Sequence, residues 1–327
     1  MTTVFSGMQP TGDVHLGNYL GAVSRWVRAQ GPGQFFCVVD LHALTLPIEP
    51  GVLRARTLDL ATWLLAAGLD PDVCTLFVQS QVREHSELAW ILNCTASMGE
   101  LNRMTQFKEK AEGKDFVSVG LFDYPVLQAA DILLYQTEEV PVGEDQRQHI
   151  ELARDIAQRF NSRYGDTFTL PKTVLPEAGA RIMDLQHPTK KMSKSAESPQ
   201  GTILLGEEPA ATAKKLMRAV TDSGAEVRAE PLPEKRAVAN LLDLLSAVSG
   251  RTVSELEQDF AGKGYGDFKK ALAEAVNDFL APVRGRYAEL RQDPGAVQEA
   301  LHKGADKARE VAAATMAQVR ERVGLPG

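Results

Sequence analysis

"TVFSGMQPTGDVHLGNYLG", residues 3–21, holds a β-type run, a glycine-punctuated turn and the start of a helix in one short stretch. Thr3 to Gly7 reads as a strand, Gly7 and Gly12 with Pro10 set a sharp turn, and His15-Leu16-Gly17-Asn18 opens a helix. The first N–H groups of that helix have no intrahelical acceptor and point where the strand ends. The stretch is therefore either a plain strand-to-helix connection with a histidine in it or a place for an anion.

The same order recurs downstream. "QFFCVVD" at 34–40, "CTLFVQS" at 74–80 and "ARIMDL" at 180–185 read as further strands. "GVLRARTLDLATWLLAAGLDP" has apolar residues at helical spacing and ends in Gly68 before Asp70-Pro71, a usual stop. Near-continuous apolar strands alternating with helices predict an α/β fold, a parallel sheet covered on both faces with ligands at the carboxyl ends of its strands. After about residue 205 the pattern is helical only: "EPAATAKKLMRAVTDS", "EKRAVANLLDLLSAVSG", "DFKKALAEAVNDFLAPVRGRYAEL" and "GAVQEALHKGADKAREVAAATMAQVRERVG". A Rossmann-like parallel-sheet domain over residues 1–200 and an all-helical domain over 201–327 are expected. "GKGYGDFK" follows no strand and reads as a loop.

Composition bounds the rest. The 327 residues are 44% hydrophobic and 24% charged, enough for a full core. No run of about 18 apolar residues occurs, and the first residues lack a basic region followed by an apolar stretch, so no membrane span or secretory signal is expected and the cytoplasm is the default. Cys37, Cys74 and Cys94 are odd in number and far apart, which argues against a disulfide framework and a structural zinc site. A net charge of −7 rules out a general polyanion binder, so any nucleic acid must dock on a local patch.

Four further stretches carry polar chemistry. In "FDYPVLQAADILLYQ", residues 122–136, Tyr124, Gln128, Asp131 and Tyr135 fall on one face of a largely apolar helix. A carboxylate there needs a partner, either an internal hydrogen bond or a ligand offering an N–H or O–H. "EEVPVGEDQ" leads through Gly143 to an acidic helix start at Glu144, Asp145 and Gln146, which suits capping or a ligand's amine and hydroxyls. "RMTQFKEKAEGK" supplies Lys108 and Lys110, an exposed helix end or a phosphate donor. "PTKKMSKSAESPQG", residues 188–201, sets Lys191 and Lys194 among serine hydroxyls with Met192 as its apolar anchor. It is either a solvated linker or a loop that closes over a polyphosphate, whose charge is spread over many oxygens. No G-x-x-x-x-G-K-[ST] pattern is present, so a nucleotide would not be held in the P-loop manner.

Together these stretches resemble the class I aminoacyl-tRNA synthetases, in their bacterial tryptophan branch. His15-Leu16-Gly17-Asn18 is similar to the "HIGH" signature, and Lys191-Met192-Ser193-Lys194-Ser195 is the "KMSKS" signature letter for letter. The similarity runs nearly end to end through "FSGMQPTG", "MTQFKEK", "AADILLY", "VPVGEDQ", "GARIMD", "AVTDS" and "GKGYG", and these point to tryptophan rather than tyrosine. The resemblance implies activation of L-tryptophan by ATP with its Mg2+, transfer to tRNA(Trp), a homodimer, and a helical domain that binds the anticodon.

Position by position, the resemblance implies that Gln9, Pro10, Thr11, His15, Gly17 and Asn18 hold ATP, with Gly143, Glu144, Asp145 and the backbone of Ile182 at ribose and adenine. Asp131 would accept the indole N–H, and Phe5, Gly7, His42, Gln128, Val140 and Val142 would surround the ring. Tyr124 and Gln146 would address the amino group, with Gln9 near the carboxylate. Lys110, Lys191, Lys194 and Ser193 would engage the pyrophosphate end, Met192 and Ser195 would belong to the ATP site with them, and Lys191, Ser193, Lys194, Lys110 and Gln9 form the implied catalytic set. Two positions depart from the pattern. Asn18 stands for the last histidine of the first signature, and Gln128 stands where many relatives carry methionine, making the indole pocket more polar or turning the amide toward Asp131.

Competing readings are a tyrosyl-type synthetase, a nucleotidylyltransferase of similar sheet architecture, for which the helical domain and second signature would be surplus, and a synthetase-like RNA-binding protein without activity. The substrate carboxylate can serve as its own nucleophile, so the implied reaction needs positioning and charge stabilisation rather than a triad.

Overall fold

A computed structural model describes residues 2–175, 182–193, 198–224 and 226–326. In chain order the first elements are β1 (Val4–Met8), α1 (Leu16–Asn18), α2 (Ser24–Ala29), β2 (Gln34–Val38), α3 (Asp40–Ala43), α4 (Pro50–Ala67) and β3 (Thr75–Val78). Then follow α5 (Glu84–Asn93), α6 (Met98–Arg103), α7 (Thr105–Ala111), α8 (Val119–Leu133), β4 (Glu139–Pro141), α9 (Arg147–Tyr164) and β5 (Lys172–Val174). The last part is helical: α10 (Pro209–Met217), α11 (Arg236–Ser249), α12 (Val253–Asp259), α13 (Tyr265–Leu290) and α14 (Pro294–Val323). A π-helical turn, Tyr19–Val23, joins α1 to α2.

The strands form one parallel sheet in the order β3-β2-β1-β4-β5. Strand order reverses between β1 and β4, which is where an open α/β sheet leaves a crevice at its carboxyl edge. The ladder there consists of the single pair Val4 and Glu139, so beyond it the two strands share no ladder and their ends can part around a ligand. The strands are apolar on both sides because helices cover both faces. One layer packs Phe36, Val38, Leu76 and Val78 against α2, α4, α11 and α13. The other packs Phe5, Phe35, Cys37, Phe77 and Val140 against α5, α8, α9 and α14.

Two expectations are corrected here. "ARIMDL" forms no ladder strand over its described part, Ile182 to Leu185. It makes an isolated bridge from Met183 to Lys191, and the Asn240 side chain hydrogen-bonds the Met183 N–H and carbonyl at 2.8 and 3.2 Å. The two remaining strands are instead β4 and β5, which are three residues each. "GKGYGDFK" is a loop only as far as Gly264, after which Tyr265 begins α13 and donates its hydroxyl to Asp222 at 2.5 Å. The predicted helix after "GVLRA" ends at Ala67 with Gly68 in the left-handed region at φ 113°, a conformation that favours glycine.

The helical region is not confined to its own side. α14 returns to the edge strand β3, and Gly304 lies so close that a Cβ there would overlap the Leu76 carbonyl. The helix thereby covers the outer edge of the sheet, a row of backbone groups that would otherwise be open to pairing.

Candidate active site

The turn after β1 and the lysine-serine loop, 180 residues apart in sequence, meet in the fold. Leu16 N–H donates to the Ile203 carbonyl at 2.9 Å and Leu205 N–H to the Val14 carbonyl at 2.9 Å. That pairing brings the end of the loop beside α1. Met192 is buried as the anchor the sequence suggested, and a Cβ on Gly17 would lie 3.5 Å from Met192 Cβ. Glycine at 17 lets the helix start sit directly on the loop. His15 and Asn18 cap each other: Asn18 N–H donates to His15 Nδ1 at 3.2 Å and His15 N–H to Asn18 Oδ1 at 3.3 Å. Asn18 Oδ1 is thus engaged, and its Nδ2 donors have no partner among the described residues.

Lys191 is exposed, and the Ser193 carbonyl accepts from Thr202 Oγ1 at 2.9 Å. Lys194 and Ser195 lie outside the described residues. Ile182 is buried and its carbonyl accepts from Met192 N–H at 3.1 Å, which ties Ile182 to the base of the loop. Gln9 and Thr11 are half-buried and Pro10 buried in the first turn. A Cβ on Gly7 would come within 2.9 Å of Val39, so glycine permits close packing of the β1 and β2 ends.

The turn after β4 supplies the opposite wall. Gly143 precedes a 3-10 turn, Glu144–Gln146, that feeds α9. Gln106 on α7 donates to the Asp145 carbonyl at 3.0 Å, and Gln146 Nε2 to Asp145 Oδ2 at 3.0 Å. The Gln146 amide oxygen, the atom an ammonium group would require, is not used in that contact. Glu144 pairs with Arg147 at 3.4 Å in an exposed helix-start contact of little energetic weight. Lys110 Nζ donates to Gln106 Oε1 at 3.2 Å and lies 5.0 Å from the Tyr124 ring centre.

A buried polar cluster is centred on α8. Asp131 is 1% exposed and accepts from Gln79 Nε2 (2.6 Å), His85 Nδ1 (2.6 Å) and His42 Nε2 (2.7 Å). Burial alone would raise its carboxyl. The His42 charge and the hydrogen bonds from both histidines outweigh burial and hold it down at about 2, so the group is ionised at neutral pH. Gln128 is half-buried and does not reach Asp131; Gln79 fills that role. Phe5 stacks on Tyr135 at 5.6 Å, Val140 is buried, and Val142 is partly buried with its N–H on the Val174 carbonyl at 3.1 Å.

Tyr124 is also buried, and burial with the nearby Glu109 charge pushes its hydroxyl up to about 12, so it stays protonated. Its oxygen lies 2.8 Å from His149 Nε2 and 3.4 Å from Gln106 Oε1. Sequence reasoning missed Gln79, His85, Gln106 and His149. Each is a single polar residue in an otherwise ordinary element, and nothing local distinguishes it from a surface residue. The one available signal is the unsatisfied demand of Asp131 for donors.

The chain was compared with known proteins. The family model described as "tRNA synthetases class I (W and Y)" matches residues 1–281. A Streptomyces avermitilis protein named tryptophan--tRNA ligase 2 is 56% identical over 98% of this chain and 96% of its own length. The tryptophanyl-tRNA synthetase structure from Mycoplasma pneumoniae superposes with a TM-score of 0.90 at 36% identity, covering 100% of this chain and 98% of the other. The Campylobacter jejuni enzyme, solved in complex with ADP and tryptophan, gives a TM-score of 0.85 at 37% identity over 99% and 100% of the two chains.

Proposed function

This chain belongs to the class I tRNA synthetases of the tryptophan and tyrosine group, and from that premise we infer that it is a tryptophan--tRNA ligase. It activates L-tryptophan with ATP and transfers the tryptophanyl group to tRNA(Trp). The observation that supports the site reading is the approach of Met192 to Gly17 in α1, which brings the described part of the lysine-serine loop beside the helix that follows β1.

In the first step a carboxylate oxygen of tryptophan attacks the α-phosphorus of ATP, and the bond to the leaving pyrophosphate breaks. Mg2+ arrives with ATP as part of the substrate. Gln9, Pro10, Thr11, His15, Gly17 and Asn18 receive ATP from the first turn, and Gly143, Glu144, Asp145 and Ile182 take its ribose and adenine. Lys191, Lys194 and Lys110 neutralise the pyrophosphate as its charge grows and Ser193 donates a hydrogen bond to it, with Met192 and Ser195 completing the ATP site. Interactions that strengthen toward the transition state raise the rate; equal binding of both states would not.

Tryptophan lies between Phe5, Gly7, Val140 and Val142, with Gln128 and His42 at the ring and its indole N–H on Asp131. Tyr124 and the free amide oxygen of Gln146 face its amino group, and Gln9 its carboxylate. Smaller side chains leave the remaining acceptor site of Asp131 unfilled, and a site built around a hydrogen bond rejects such analogues by about 10⁴–10⁵. The helices of residues 201–327 bind the anticodon end of tRNA, with an affinity that falls as salt rises.

We place the protein in the cytoplasm; no helix among the described residues is long and apolar enough to cross a membrane. It acts as a homodimer. Trp90 on α5, Met98 on α6, Phe116 in the loop before α8 and Val119 at its start are 71%, 67%, 80% and 79% exposed, and α5 and α6 both pack on α8. An apolar face of that kind fits a second copy.

ATP–pyrophosphate exchange run with each amino acid singly tests the assignment. Exchange with tryptophan alone is expected. Exchange driven by tyrosine, or by no amino acid, would overturn it.

A further inference from the structure

The donors around Asp131 are unevenly divided. Gln79 Nε2 and His85 Nδ1 both bind Oδ1, at 2.6 Å each, whereas Oδ2 receives only His42 Nε2, at 2.7 Å. A carboxylate offers about four lone-pair sites, two on each oxygen. Oδ1 is therefore filled, and the remaining acceptor site lies on Oδ2.

His85 is fully buried on α5, and its second ring nitrogen, Nε2, is 2.8 Å from the Tyr135 hydroxyl. Tyr135 is itself buried and held by Phe35 and Phe5, with ring centres 4.5 and 5.6 Å away. When Tyr135 donates its O–H to Nε2, the imidazole proton must sit on Nδ1, facing Asp131. The hydroxyl thus fixes the tautomer, and the tautomer supplies the second donor on Oδ1. With Oδ1 filled, the carboxylate can neither rotate nor offer another direction of approach.

We propose that His85, aligned by Tyr135, is a positioning residue for tryptophan selection: it leaves Asp131 Oδ2 as the single acceptor for a ring N–H. The proposal rests on the reading that Asp131 accepts the indole N–H. A buried histidine with a purely structural role would change the stability of the protein when replaced, but not its preference between two rings of the same shape.

The experiment compares kcat/KM in ATP–pyrophosphate exchange for tryptophan and for the benzothienyl analogue, in which sulfur replaces the ring N–H. It uses the full-length protein as wild type and as the His85→Leu, Tyr135→Phe and Asp131→Asn variants. The preference for tryptophan should fall about tenfold or more in His85→Leu, the scale of a hydrogen bond to a charged group, and by a smaller factor in Tyr135→Phe. Tyr135→Phe keeps the ring packing and decides the question if His85→Leu does not fold. Wild-type preference in both variants, with only the melting temperature lowered, would overturn the proposal. Wild-type preference in Asp131→Asn would overturn the reading beneath it instead, so the two failures are distinguishable.

Discussion

His149 shows how much one side chain can carry at the residue scale. It is buried on α9 and its Nδ1 has no partner among the described residues. Placing its proton on Nε2 gives a continuous chain, with His149 donating to Tyr124 Oη, Tyr124 to Gln106 Oε1, and Lys110 to the same oxygen. The opposite tautomer would leave a buried N–H unpaired, which is the rarer and costlier arrangement. Burial first, then the Lys110 charge, lowers His149 to about 4, with Asp145 opposing. The folded protein therefore keeps a neutral imidazole where the unfolded chain takes up a proton near 6.5. Stability from this group is fully present above about pH 6.5 and is lost as pH falls toward 4, by about 3 kcal/mol. Urea titrations of wild type across that window should show the loss, and His149→Gln should flatten it; an unchanged slope in the variant would refute the assignment. Asp131, held at about 2, contributes stability that survives until far lower pH, so the two groups separate in the same titration.

At the scale of elements, the strands divide by length. β1, β2 and β3 are legible because each has four or five residues with apolar side chains pointing to two covered faces. β4 and β5 are not: Glu139-Val140-Pro141 and Lys172-Thr173-Val174 are too short to show a period, and their place in the sheet comes from pairing with each other and with β1. "ARIMDL" misleads for the converse reason, since an apolar run buried by Asn240 and its neighbours looks like a buried strand. The contact between α14 and β3 yields a direct test. Gly304→Ala places a methyl against the Leu76 carbonyl and should lower the unfolding free energy by about 1–3 kcal/mol. Equal denaturation midpoints for variant and wild type would show that the helix can draw back freely from the sheet edge.

For the whole molecule, the exposed apolar face on α5, α6 and α8 is the feature a monomer accounts for least. Wild type is expected to sediment as a dimer at micromolar concentration. Trp90→Glu, which puts a charge in place of an exposed aromatic ring on α5, should shift it toward monomer while leaving the buried cluster around Asp131 untouched. A wild-type monomer, or a variant that dimerises as tightly, would count against this interface.

What the sequence determined by itself was the parallel α/β plan, the helical second part and the two signatures, because period, turn chemistry and a short ordered motif are local properties of a chain. Asp131 was legible as a carboxylate that needs partners, but not which partners. Tertiary structure alone decided that Gln79, His85 and His42 converge on it from the turn after β3, α5 and α3. It also decided that Met192 sits on Gly17, through pairing of residues 14–16 with 203–205. The physical reason is the same in both cases: a buried charge and a closing loop are satisfied by groups distant in sequence, and no local pattern records which of many similar polar residues the fold will bring within hydrogen-bond reach.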